Sequence, residues 1–364
     1  MAVLGISFAV VLILMQVGFR EALFESAVRY HKRFNYDIAL FSTESSFIVR
    51  PQSFSRRRLY QALGVDGVES VSPVYISPSN WKNPYNHRVR SAMTIGVDPD
   101  QFVLDTPGVR ENQVKMRQQD VLLFDALSRP EHGPIAERFR AGETIVTEVN
   151  NRKVTVVGLF EMGTSFGIDA SLLTSDTNFL RLFPSRDRND IDLGLIRLKP
   201  EEDPVRVAEV IRNLLPNDVL VLTKPEFIQR EIAYWNGTTP IGYVFPFGAI
   251  VGFVVGGIIV YQILYADVSD HLSEYATLKA IGHTNRFVSA VVVQQAIILA
   301  VLGYAPGILV SFWLYDTASA ATRLPLVMTW ERGIAVLLLT IAMAAISALI
   351  ALRKVRSVDP AEIF

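Results

Sequence analysis

Hydrophobic positions in this chain follow two kinds of pattern. Four charge-free runs, 1–19, 240–266, 287–315 and 333–352, approach or exceed the roughly 20 helical residues that cross a hydrocarbon core of about 30 Å. Each is predicted to be a transmembrane helix. Between the first and second runs the pattern changes to short apolar segments separated by polar turns. The predicted layout is one span, a large inserted domain over 20–235, and then three closely spaced spans.

The ends of the inserted domain repeat one order of elements. "YDIALFS" (36–42) reads as a strand, "SFSRRRLYQAL" (53–63) as a helix capped by Ser53 or Ser55, and "VESVSPVYI" (68–76) as a strand. "DIDLGLIRLK" (190–199), "DPVRVAEVIRNLL" (203–215) and "DVLVLT" (218–223) repeat that order, with Asp203 and Pro204 as cap and first helical residue. The stretch 80–190 is rich in alternating segments with Gly and Asn turns. The expected fold is therefore an α-helical membrane protein with four transmembrane helices. Its large α+β periplasmic domain would consist of two βαβ halves with a β-rich insertion. The stretches 20–33 and 224–235 read as stalk helices continuing spans one and two.

Composition agrees with a membrane protein: 50% of the 364 residues are hydrophobic and 20% charged. Arg353, Lys354 and Arg356 follow the last run, which predicts a cytoplasmic tail (353–364). Alternation then places 267–286 in the cytoplasm, and 20–235 and the short loop 316–332 outside, on the side the resemblance below implies to be the periplasm. The first run lacks a basic flank and a small-x-small cleavage site, so it reads as a retained anchor. The net charge of −1 provides no basic field for nucleic acid.

Enzyme chemistry finds little support. None of the eight lysines follows a glycine, so there is no phosphate-binding G-x-x-x-x-G-K-[ST] loop. The five histidines lack metal-ligand spacing, and with no cysteine there is no thiolate site. The four runs hold no ionisable side chain to mark a proton or ion path, and Gln294, Gln295 and Ser347 are suited to interhelical hydrogen bonds. Gly248, Gly252 and Gly256 form a smooth strip on span two, for packing against the chain's own helices or for a homodimer seam.

The polar stretch "SDHLSEYATLKAIGHTNRF" (269–287) interrupts the apolar region. A helix over 270–281 is predicted, capped by Asp267 or Ser269 and stopped by Gly282 at C′, with Thr284 capping the next span. At 100° per residue, Leu272, Tyr275, Ala276 and Lys279 share one face, and Asp270, Ser273, Glu274 and Thr277 the opposite one. The polar face carries acids and no cation, so a partner presenting basic or polar groups would suit it.

"SEYATLKAIGHTNRF", the ending "RKVRSVDPAEIF" and the layout of spans resemble the permease subunits of ABC exporters in the FtsX/MacB superfamily, above all the DevC-type permeases. The resemblance implies an inner-membrane permease without nucleotide-binding motifs that acts by mechanotransmission. This chain would bind no cofactor of its own, ATP and Mg sitting on a separate ABC ATPase subunit. Glu274, Tyr275, Leu278, Lys279, Ile281 and Gly282 would form the ATPase-coupling contact. Further implied partners are a second copy of the chain, a periplasmic membrane-fusion adaptor and a TolC-like outer-membrane channel, with a glycolipid as cargo. The same superfamily contains permeases that regulate a periplasmic cell-wall hydrolase and lipoprotein-releasing permeases. Its members commonly carry a basic segment before span one, which this sequence does not show.

Overall fold

The computed structural model describes residues 2–165 and 167–356. The "DPAEIF" ending lies outside them. Helices are α1 (Ala2–Ala27), α2 (Arg29–Arg33), α3 (Arg57–Leu63), α4 (Val109–Asn112), α5 (Ile135–Arg140), α6 (Asp176–Leu182), α7 (Pro204–Leu214), α8 (Lys224–Thr238), α9 (Ile241–Asp270), α10 (Leu272–Ala280), α11 (Asn285–Thr322) and α12 (Trp330–Arg356). Strands are β1 (Ile38–Ser42), β2 (Phe54–Ser55), β3 (Val68–Lys82), β4 (Val89–Val97), β5 (Val121–Asp125), β6 (Ile145–Val149), β7 (Arg152–Phe160), β8 (Ser171–Ser175), β9 (Asp190–Ile191), β10 (Leu193–Leu198) and β11 (Val219–Thr223). The chain divides into two compact units, Leu23–Thr239 and Met1–Ala22 with Pro240–Phe364.

In the unit Leu23–Thr239 the sheet order is β11-β1-β10-β3-β4-β8-β5-β7-β6. Its first four strands are antiparallel neighbours. β10 lies between β1 and β3, and β1 lies between β10 and β11. The two predicted βαβ units thus interleave as split βαβ motifs, with α3 and α7 as their crossovers. Asp203 accepts from Val205 N at 3.0 Å and Pro204 opens α7, the local signature read in the sequence. Ser55, read as a cap of α3, ends β2, and its Oγ accepts from Arg57 N at the start of α3 at 3.4 Å.

The insertion closes on itself. β3 runs for 15 residues, so its far end leaves the four-stranded part and pairs with β6 as well as β4, at Trp81↔Val149 and Lys82↔Glu148. β3, β4, β8, β5, β7 and β6 therefore form a closed ring around Trp81, Leu122, Phe124 and Leu172. Closure removes two sheet edges that would otherwise need protection.

The other unit gathers the beginning of α1 with α9, α10, α11 and α12. Four of the described helices are long and apolar enough to cross a membrane: Val3–Ala27, Ile241–Asp270, Asn285–Thr322 and Trp330–Leu352. The buried side of α9 reads Gly252, Gly256, Val260, Leu264 and Val268, a four-residue spacing that places them on one stripe. That of α11 includes Ala296, Ala300, Gly303, Gly307 and Ser311. Ser7 Oγ donates to Gly303 O at 2.8 Å and Ser347 Oγ to Gly257 O at 2.8 Å, tying helices together through backbone carbonyls.

Two sequence expectations need correction. The helix 224–235 does not run straight into span two: Thr239 is extended (φ −119°, ψ 157°) before Pro240, which opens α9. Proline disfavours helical geometry in the residue before it and has no N–H to donate. By contrast, α1 is continuous from Ala2 to Ala27. The helices are also longer than the charge-free runs, so Glu21 lies in α1 and Arg332 in α12. These two side chains form an ion pair, and Arg332 also donates to Tyr315 OH at 3.3 Å and Val327 O at 2.9 Å.

Candidate functional site

The short helix α10 is set off by its two ends. His271 (φ −103°, ψ 22°) interrupts the path from α9, and its carbonyl accepts from Glu274 N at 3.1 Å and Tyr275 N at 3.2 Å. Asp267 and Ser269, predicted as caps, lie inside α9 instead, because the helix continues to Asp270. At the other end Gly282 adopts φ +106°, a conformation that costs glycine little. Its neighbour His283 N donates to Leu278 O at 3.0 Å, the 6→1 bond of a Schellman stop. Thr284 is at the N-cap position of α11 in extended geometry, without a side-chain cap bond.

α10 has an inner and an outer face. Tyr275 (7% exposed) and Ala276 are buried, and Tyr275 belongs to the same cluster as Val268, Val288 and Leu352. Leu278 is half-buried against that cluster. Tyr275, expected at the coupling contact, lies with its ring in the bundle cluster and anchors α10 there. Ser273, Glu274 and Thr277 are exposed, and Ile281 is 73% exposed. Lys279 is in the helix, with its side chain outside the described residues.

The outer surface is acidic with apolar islands. Asp270 and Glu274 are exposed beside His271, whose imidazole pKa is raised, chiefly by the backbone of Asp267 and further by Glu274, Asp267 and Asp270. Ile281 and Phe287 provide exposed apolar groups, and His283 stacks on Phe287 at 4.4 Å. Such a surface suits a protein partner that offers basic groups around an apolar pocket.

The glycine strip faces α1. A Cβ at Gly256 would come within 2.5 Å of Ala9 Cβ, one at Gly252 within 3.3 Å of Ile13, and one at Gly248 within 2.5 Å of Gln16. Ala9, Ile13 and Gln16 recur at helical spacing on α1, so both helices approach closely along the whole strip. The sequence reading missed the matching glycines of α11: Gly303 and Gly307 meet Ile6 and Val10 on another side of α1. Their four-residue spacing was the available signal. Among the described residues no group of three or more His, Asp or Glu converges in a metal-ligating arrangement.

Four apolar helices and a large domain inserted after the first of them define a multi-pass membrane protein with a periplasmic domain. Residues 1–214 match the family model described as MacB-like periplasmic core domain, and residues 246–360 the one described as FtsX-like permease C-terminal. The chain belongs to this MacB/FtsX-like permease family of ABC transporter membrane subunits.

Similar solved structures include the periplasmic region of MacB from Actinobacillus actinomycetemcomitans, 14% identical over 56% of this chain and 94% of that one, with a TM-score of 0.39. The extracellular domain of YknZ, a noncanonic ABC-type transporter from Gram-positive bacteria, is 14% identical over 51% and 98% (TM-score 0.33). A permease domain from Porphyromonas gingivalis is 13% identical over 53% and 90% (TM-score 0.33). Comparison with curated proteins gave no match.

Proposed function

We propose that this chain is the permease subunit of a DevC-type ABC exporter and that α10 is the handle gripped by a separate cytoplasmic ATPase. The observation that carries this reading is the construction of α10. Tyr275 and Ala276 fix it to the bundle, the Gly282 stop ends it sharply, and Glu274 and Ile281 stand outward. A helix held on one side and bare on the other transmits a push better than a floating connector. ATP and Mg belong to the ATPase, and this chain supplies no catalytic group.

Movement of the bundle would pass into the periplasmic domain along the unbroken helix α1, whereas the Thr239–Pro240 break makes the second connection a joint. The mechanism is mechanotransmission: the domain works on a periplasmic adaptor and a TolC-like channel, and cargo such as a glycolipid leaves without crossing through the four spans. Two copies would pair through a face other than the glycine strip, because α1 covers that strip.

The test is co-purification of the ATPase with the full chain in membranes. Glu274→Lys combined with Ile281→Glu is expected to reduce recovery of the ATPase at least about tenfold, the effect of losing an interface anchor. Both side chains are exposed, so insertion and folding should be unchanged. Wild-type recovery with the double variant would refute the docking surface.

A further inference from the structure

We infer that Glu231 is a clasp that makes α2, α8 and the loop 43–52 move as one body, and that movement arriving along α1 passes to α8 through it. All of these segments lie in the unit Leu23–Thr239. The inference rests on the mechanotransmission reading only for the source of the movement.

The two connections to the membrane differ in what they can carry. α1 passes into α2 at Val28, where Val28 N donates to Phe24 O and Lys32 N to Val28 O, both at 3.1 Å, so the helical path is kept. α8 is separated from α9 by the extended Thr239 and by Pro240. A push along α1 therefore reaches α2 through backbone and reaches α8 only through side chains.

Glu231 provides that contact. It and His31 are buried, and His31 Nε2 lies 3.3 Å from Glu231 Oε2. The same oxygen accepts from Ile48 N of the loop at 3.2 Å, and Oε1 accepts from Trp235 Nε1 at 2.9 Å. One carboxylate thus joins α2, the loop and α8. Neighbouring contacts follow the same lines: Phe47 stacks on Tyr234 at 4.8 Å, Arg230 donates to Ser45 O at 3.2 Å, and Lys224 Nζ donates to Phe34 O at the end of α2 at 2.8 Å.

The chemistry separates a clasp from ordinary packing. The groups facing the carboxylate are N–H donors, and an ionised carboxylate only accepts. A glutamine amide would turn its own N–H toward the N–H of Ile48 or of Trp235, whichever way it were placed. Stability alone does not call for the charge, since apolar residues of similar volume in place of a buried charged pair are often neutral or stabilising. Apolar contact is non-directional, whereas hydrogen bonds to an ion fix distance and angle, so the carboxylate holds the three elements in one register.

The test is hydrogen exchange of the full chain in lipid nanodiscs with the ATPase, with and without ATP. In the wild type, ATP is expected to change exchange in α2, α8 and 43–52 together. Glu231→Gln is expected to speed exchange in 43–52 at least about tenfold, the effect of losing a hydrogen bond to a charged group. Glu231→Leu fills a similar volume, asks for no partner and decides the matter if Glu231→Gln does not fold. It should keep the wild-type denaturation midpoint and ATPase recovery, while ATP alters α2 but no longer α8 and 43–52. An ATP response still shared by the three segments in Glu231→Leu, segments that respond independently in the wild type, or a large loss of stability in Glu231→Leu would overturn the clasp. Failure of the wild type to recover the ATPase would refute the docking reading instead. Exchange without ATP then decides the clasp, and unchanged exchange in 43–52 in both variants would overturn it.

Discussion

The two units of this protein are packed on opposite rules. The domain Leu23–Thr239 encloses Trp81, Tyr30, Tyr75, Phe34, Phe41, Phe160, Phe179 and Phe227, all less than 5% exposed. The bundle brings its helices together at Gly252, Gly256, Ala296, Ala300, Gly303 and Gly307. In water, burying large apolar side chains is the main drive for folding. In a bilayer lipid tails are as apolar as leucine, so helices gain instead from close backbone approach and carbonyl-directed hydrogen bonds. Size is therefore stabilising in the domain and disruptive at the helix seams of the bundle.

The largest effect should come from removing size in the domain. Trp81 fills the closed ring, packs tilted against Phe124 with ring centroids 5.1 Å apart and donates its indole N–H to His132 O at 3.0 Å. Trp81→Ala is expected to cost about 3–5 kcal/mol. Hydrogen exchange on the full chain should show the loss in β3 to β8 and leave α9 to α12 protected. Equal loss in both units would break the comparison.

The domain also buries a carboxylate. Asp125 is fully buried, accepts from Met162 N (3.0 Å), Gly163 N (2.9 Å) and Leu127 N (3.1 Å), and is pushed up to about 6 by desolvation. An unfolded aspartate titrates near 3.8, so between these values the folded state holds the proton more tightly. Its contribution is thus greatest below about 3.8 and is lost as the pH rises through 6. From pH 7 to about pH 4 the wild type should gain about 2 kcal/mol relative to Asp125→Asn. Denaturant titration of the domain's tryptophan fluorescence at each pH measures it, and parallel pH profiles would contradict the assignment.

Adding size should disrupt the helix seams of the bundle. At Gly256 a Cβ already meets Ala9, and Met343 Sδ lies 2.8 Å from the same point. Gly256→Val is expected to cost about 1–3 kcal/mol of bundle stability, read by denaturation in mixed micelles. The same change at Gly142, which has nothing within 4 Å, should not disturb packing, though its φ of +87° still adds strain. A smaller loss at Gly256 than at Gly142 would remove steric closeness as the reason for the strip.

How much of this could be read in advance follows the same division. The spans, the split βαβ strands and the Gly282 stop were legible, because each depends on local composition, periodicity or a conformation peculiar to glycine. The closed ring was not, since the β3–β6 pairing joins residues more than sixty positions apart and alternation fixes a strand's faces but not its neighbours. Nor was the inward turn of Tyr275, which depends on α10 lying against the bundle. The charge-free runs end short of Glu21 and Arg332, so local pattern alone places these residues in the domain and a loop. Once paired, those charges extend the helices past the apolar runs. Long-range pairing and charge compensation were thus the information that local pattern lacked.

The smallest expected effect tests the second half of the bundle's rule, that polar groups join its helices. Ser347 Oγ donates to Gly257 O at 2.8 Å, within reach because Gly257 presents no side chain. Ser347→Ala keeps the small volume and removes only this bond. Interhelical hydrogen bonds in membranes average about 0.6 kcal/mol, because the separated helices also find partners. A loss of that order in mixed-micelle denaturation is expected, clearly below the cost at Gly256. A loss of several kcal/mol would show that hydrogen bonding rather than close packing dominates the bundle, and would reverse the contrast drawn with the domain.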